Sequence, residues 1–101
     1  SNKQSQITPL SELNETIRLA PDFAQAYYNR ANLYVKAGDL SQARLDYNQA
    51  LSLNKHFAEA YFNRGLLSYS EGKIKEGTND LSRAGELGLY QAYGLIKRMN
   101  N

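Results

Sequence analysis

Ala24-Gln25-Ala26-Tyr27-Tyr28-Asn29-Arg30-Ala31-Asn32-Leu33-Tyr34 decides the fold, because it returns, altered, as Ala58-Glu59-Ala60-Tyr61-Phe62-Asn63-Arg64-Gly65-Leu66-Leu67-Ser68. The offset is about 34 residues, a spacing that suits a pair of helices repeated in tandem. The agreement runs past the stretch itself: Phe23 with Phe57, Gly38 with Gly72, Asp46 with Asp80, Ala50 with Ala84, Leu53 with Leu87. A chain of 101 residues has the length of one small domain. A stack of repeats gives such a chain a continuous core, which a globule of the same size builds with difficulty. The reading is therefore a single all-α repeat domain over 1–101.

Working outward from that stretch, the helices follow from spacing and punctuation. Thr8 and Pro9 open a first helix over 8–20, Thr8 as cap and Pro9 at the first helical position, where a missing N–H costs nothing. Leu10, Leu13, Ile17 and Ala20 lie on one face of it. Pro21 ends it, since a residue before proline is pushed out of the α region. Asp22 is the expected cap of the next helix, with Gln25 as its capping-box partner. That helix carries Tyr27, Ala31 and Tyr34 on one stripe, and Gly38 supplies the left-handed residue that closes it. Asp39 caps the following helix, which turns Ala43, Tyr47, Ala50 and Leu51 to one side. The first full repeat is thus 24–54 and the second 58–88. The second has Gly77 in place of Ala43 and Gly85 in place of Leu51. Each glycine costs on the order of 1 kcal/mol against alanine inside a helix, so the second hairpin is expected to be the softer one. A shortened junction then leads to an end helix over 90–99, with Leu89, Ala92, Tyr93, Ile96 and Met99 on its covering side. Arg30 and Asp46 recur together as Arg64 and Asp80, which predicts one arginine–aspartate bridge inside each hairpin.

These residues resemble the tetratricopeptide repeat family. The family's run of aromatic, small and turn positions is met in the first copy by Tyr27, Ala31, Tyr34, Gly38, Ala43, Tyr47 and Ala50. In the second copy it is met by Tyr61, Gly65, Gly72, Gly77, Leu81 and Ala84, with Ser68 where an aromatic is usual. Pro21 falls on the proline place of an earlier unit, and helix 8–20 on that unit's second helix. The short turn at Glu86-Leu87-Gly88 is similar to the related Sel1-like repeats. The resemblance implies an α-α superhelix, a solenoid of about six antiparallel helices. It also implies a non-catalytic scaffold that binds a peptide or protein segment in a concave groove lined by the first helix of each unit.

The matching groove positions here are Gln25, Tyr28, Asn29, Asn32, Val35 and Lys36, then Glu59, Phe62, Asn63, Leu66, Tyr69 and Ser70. Asn29 and Asn63 stand out, since a carboxamide both donates to and accepts from a peptide backbone. The competing reading has each bridging locally between helices. Some family members capture acidic C-terminal tails with groove lysines. Here Tyr28 stands where the first lysine would be, and asparagines (Asn32 and Asn63) hold the other matching places, which argues against carboxylate capture. Phe62, Leu66 and Tyr69 make the second half of the face apolar. It suits a partner with apolar side chains, unless the end helix or a neighbouring chain covers it. The alternative function is a structural spacer or self-association module, with homo-oligomerisation through the exposed N-terminal helix.

Other chemistries find little footing. There is no cysteine, hence no disulfide and no thiolate metal site. His56 is the only histidine and has no second ligand beside it, so no metal or other cofactor is expected. No nucleophile is placed to use it, and no carboxylate pair is arranged for acid–base work. The net charge is +2, and the basic residues are scattered apart from Lys73/Lys75 and Lys97/Arg98. That pattern gives no nucleic-acid stripe. No apolar run reaches about 18 residues, so no membrane span is expected. No signal sequence is visible, and the cytoplasm is the favoured compartment.

Overall fold

Glycine turns punctuate the chain, and they are built alike. Gly38 and Gly72 have φ of 81° and 78°, and Gly88 follows the same plan. The left-handed residue folds the chain back so that the next N–H reaches a carbonyl in the last helical turn. Asp39 N–H donates to Tyr34 O at 2.9 Å, Lys73 N–H to Ser68 O at 2.8 Å and Leu89 N–H to Ala84 O at 3.0 Å. These bonds satisfy carbonyls that a helix end otherwise leaves open. Around these turns the computed structural model, which describes residues 9–100, forms α1 (Leu10–Leu19), α2 (Ala24–Ala37), α3 (Leu40–Leu53), α4 (Ala58–Ser70), α5 (Ile74–Glu86) and α6 (Gln91–Met99). No strand occurs among the described residues. The chain is an all-α helical repeat of six helices.

The helix starts depart from expectation. Thr8 lies outside the described residues. Pro9 occupies the cap position itself, extended at φ −64° and ψ 153°, one place earlier than expected. Asp22 does not cap α2. The cap position is Phe23, with no side-chain hydrogen bond, and Phe57 does the same for α4. Gln25, expected to complete the box, instead donates from Nε2 to Asn29 Oδ1 one turn on, at 3.0 Å. Asp39 does cap α3, accepting from Gln42 N–H at 3.4 Å, a long bond.

The described chain divides into two compact units at Leu53 and Asn54. In the first unit α2 packs on α3 and α1 on α2. Leu13, Ala26, Ala31, Ala43, Tyr47, Ala50 and Leu51 are buried. The small residues lie at the helix contacts, and Tyr47 fills the space beside them. Arg30 fastens all three helices. It clamps Asp46 of α3 through Nε to Oδ2 at 2.7 Å and Nη2 to Oδ1 at 2.8 Å, and its Nη1 donates to Asn14 Oδ1 of α1 at 3.0 Å. The Tyr27 and Tyr34 rings lie 5.8 and 5.9 Å from the guanidinium carbon. The bond to Asp46 is the main reason the Arg30 pKa is raised, against the opposing effect of burial. Tyr27 Oη donates to Pro21 O at 2.8 Å, which ties α2 to the turn before it.

In the second unit α4 packs on α5 and α5 on α6. The bridge recurs: Arg64 holds Asp80 at 2.7 and 2.8 Å. The Tyr61 ring sits beside both Arg64 and Arg83, at 5.7 and 5.9 Å. Leu81, Ala84 and Ala92 form the buried cluster, with Tyr61, Phe62, Tyr69, Leu89, Leu95 and Ile96 packed around it. Gly65, Gly77 and Gly85, the glycines inside α4 and α5, are packing residues. A Cβ built on Gly77 would stand 2.9 Å from Gly65 O and 2.9 Å from the Tyr69 ring. One built on Gly65 would meet Gly77 O at 3.0 Å. Here α4 and α5 approach more closely than alanine at both places allows. Gly85 admits the Tyr93 ring of α6, which a Cβ would meet at 2.6 Å. The covering side of α6 is also shifted: Leu95 joins the cluster, while Met99 is 43% exposed.

Candidate functional site

The α2 residues singled out from the sequence do gather. Gln25, Tyr28, Asn29, Asn32 and Lys36 follow one another at steps of three, one, three and four, so four of them share a helix face with Tyr28 beside it. Gln25 and Lys36 are exposed, and Tyr28, Asn29 and Asn32 are half-buried. The face rests on Tyr47 of α3. Its hydroxyl donates to Asn32 Oδ1 at 2.5 Å, and its ring lies 6.1 Å from that of Tyr28, tilted by 53°. Tyr47 is itself buried, so it fixes the direction of Asn32 from below. The Asn29 oxygen is occupied by Gln25. Its amide nitrogen has no hydrogen bond among the described residues and keeps two donors for a ligand.

Asn29 and Asn32 also line a pocket. It has a volume of ≈ 280 Å³ and is bounded by Leu13 of α1 and by Asn29, Asn32 and Leu33 of α2. Leu13 and Leu33 were not among the expected site residues. In the sequence Leu13 belongs to the apolar face of the first helix, where nothing separates a pocket wall from core. Leu33 sits between the landmark positions of the repeat, so no pattern marks it. The pocket pairs two apolar walls with two carboxamides, a combination that suits a segment carrying both side chains and backbone.

The α4 residues behave differently. Phe62 and Tyr69 are packed against the buried cluster of α5 and α6. The Tyr69 hydroxyl lies 2.6 Å from Thr78 Oγ1, and Asn100 Nδ2 donates to the same oxygen at 3.2 Å. Asn63 and Leu66 are half-buried on the same helix, and Asn63 is engaged within the chain. Here the aromatic side chains are held by their own unit. Among the described residues no group of three His, Cys, Asp or Glu gathers as a metal site, and no helix is long and apolar enough to cross a membrane.

Comparison with known proteins places this geometry. A family model described as "TPR repeat" matches residues 31–72, and one described as "Tetratricopeptide repeat" matches 12–45. Together they run from 12 to 72, over half of the chain. No curated protein matches. Among solved structures the chain is similar to the first TPR of Spaghetti (RPAP3) bound to the HSP90 peptide SRMEEVD: TM-score 0.83, 24% identity, 90% of this chain and 74% of that one covered. It is similar to the first TPR domain of the human RPAP3 protein, with the same TM-score and identity over 90% and 73%. It is also similar to MamA, at TM-score 0.83 and 22% identity over 89% and 54%. At these identities the likeness is one of fold.

Proposed function

Since the chain belongs to the tetratricopeptide repeat family, we propose that it is a non-catalytic binding module that holds a segment of another protein against the face of α2. Gln25, Tyr28, Asn29, Asn32 and Lys36 form that face, with Leu13 and Leu33 as its apolar floor. The observation that carries the reading is the ≈ 280 Å³ pocket between α1 and α2, lined by Asn29 and Asn32, two of the groove positions read from the sequence. Leu13 and Leu33 take apolar side chains, and the Asn29 amide donates to a carbonyl of the guest. A neighbour of the same fold is described as bound to a peptide, which supports a peptide-like guest. The guest differs in charge from that acidic one. Arg30 is committed to Asp46, so among the described residues of α2 Lys36 is the cation left to this face. On α4, Phe62, Asn63, Leu66 and Tyr69 would add contacts at Leu66 and the ring edges. The packing of Phe62 and Tyr69 into their own unit favours a structural part for that half.

Selection of displayed random peptides on the chain tests this. Enriched peptides should bind the Tyr28→Ala/Asn29→Ala variant at least about tenfold more weakly than the parent, a loss equal to one good contact. Equal binding to a variant with an unchanged helical spectrum refutes the α2 face as the site.

A further inference from the structure

Tyr47 and Asn32 are a polar pair that the repeat does not require. One period on, Leu81 stands at the place of Tyr47 and Leu66 at the place of Asn32. Tyr47 and Leu81 are both buried, so the same position serves with a hydroxyl in one unit and without one in the other. The two polar groups are present together in the first unit, where Tyr47 Oη donates to Asn32 Oδ1 at 2.5 Å. In the second unit both are absent together. Exchanging both members of such a pair for apolar groups is close to neutral for folding, whereas losing one strands the other. Folding alone therefore gives no reason for the pair.

What the bond does is fix a polarity. A carboxamide has an acceptor end and a donor end. The Tyr47 side chain is held in the core, its ring 6.1 Å from that of Tyr28. Turning Asn32 over would take from the Tyr47 proton the acceptor it has, which is costly away from water. Asn29 is arranged in the same sense, its oxygen accepting from Gln25 Nε2 at 3.0 Å. Both asparagines line one pocket, and in both the oxygen is engaged by the protein itself.

We infer that Tyr47 is a positioning residue for the α2 face: it holds the Asn32 oxygen inward, so that Asn32 meets a guest as a hydrogen-bond donor and the face selects segments that bring a carbonyl to that point. This rests on the α2-face reading above and gives the guest its polarity there.

The probes are display-selected peptides that bind Tyr28→Ala/Asn29→Ala at least tenfold more weakly than the parent. In each, the backbone carbonyls are replaced one at a time by thiocarbonyls, which are weak acceptors. On the parent, one replacement should weaken binding about threefold or more, the loss of one hydrogen bond. On Tyr47→Phe, which keeps the ring, that ratio should shrink toward one, because the Asn32 carboxamide can then turn. Asn32→Asp keeps an oxygen for Tyr47 and removes the donors, and it should abolish the ratio as well. A merely structural role for Tyr47 would weaken both forms of the peptide alike and leave their ratio unmoved. If no replacement matters on the parent, or if the ratio survives in either variant, the inference fails. The α2-face reading then stands, because the peptides were chosen by their dependence on Tyr28 and Asn29. If no selected peptide depends on those two residues, both fail.

Discussion

Arg30 is the residue on which the first unit turns. One guanidinium joins Asp46 of α3, Asn14 of α1 and the faces of two tyrosines on its own helix. The side chain of Asp46 is 7% exposed and that of Arg30 21%. The pair itself adds little over an apolar replacement, but removing one partner strands a carboxylate away from water. Arg30→Gln should therefore destabilise the chain by about 2 kcal/mol, less than a fully buried pair would cost because the site is partly hydrated. Arg30→Met/Asp46→Leu should recover at least half of the loss; urea unfolding of the three proteins measures both. The bond to Asp46 raises the Arg30 pKa above its ordinary value. Stability from a raised group is complete below its unfolded pKa and is lost only as pH rises through the folded one. The Arg30→Gln deficit should accordingly be unchanged between about pH 6 and pH 9, and a deficit that halves over that range would show another group to be responsible. The bridge was legible because arginine and aspartate recur together in both copies. The Asn14 contact was not, because α1 lies outside the two full copies from which the bridge is read.

At the scale of elements, glycine content and glycine placement point in opposite directions. Propensity alone makes Gly65, Gly77 and Gly85 weaknesses of α4 and α5. Their surroundings make them contact points. An alanine at Gly77 would press its methyl on Gly65 O and the Tyr69 ring. Gly77→Ala should thus destabilise by about 1–3 kcal/mol, the usual range for overpacking, where the propensity argument gives a gain of about 1 kcal/mol. Thermal melting decides between the two signs. The atoms nearest a Cβ on Gly85 all belong to the ring of Tyr93, a residue that is 47% exposed and able to swing. Gly85→Ala should cost less than Gly77→Ala. Helix existence and phase were readable because the apolar spacing and the turn glycines agree. Helix starts were not: Asp22 had the right chemistry for a cap, yet α2 begins with Phe23 at the cap position and Gln25 turned to Asn29. Close approach of backbones was equally hidden, because a glycine in sequence looks the same whether it faces solvent or another helix.

For the whole molecule, the family motif is chiefly a packing code, and the proposed binding surface lies between its landmarks. Tyr27, Ala31, Ala43 and Tyr47 build the first unit. Asn29, Asn32 and Leu33 (none of them a landmark) line the pocket. The family assignment was therefore legible throughout, while the candidate site was legible only as a helix face. Its floor depends on Leu13, brought in from a different helix, while the packing of Phe62 and Tyr69 against the α5–α6 cluster stands in the sequence only as the alternative that the end helix covers them. Amide shift mapping of the 101-residue chain with a saturating display-selected peptide tests the central claim most directly. Binding on the α2 face shifts amides over Gln25 to Lys36 and at Leu13 and leaves α6 unmoved. Shifts concentrated instead at the exposed Tyr90, Tyr93 and Met99, with α2 unmoved, would contradict it.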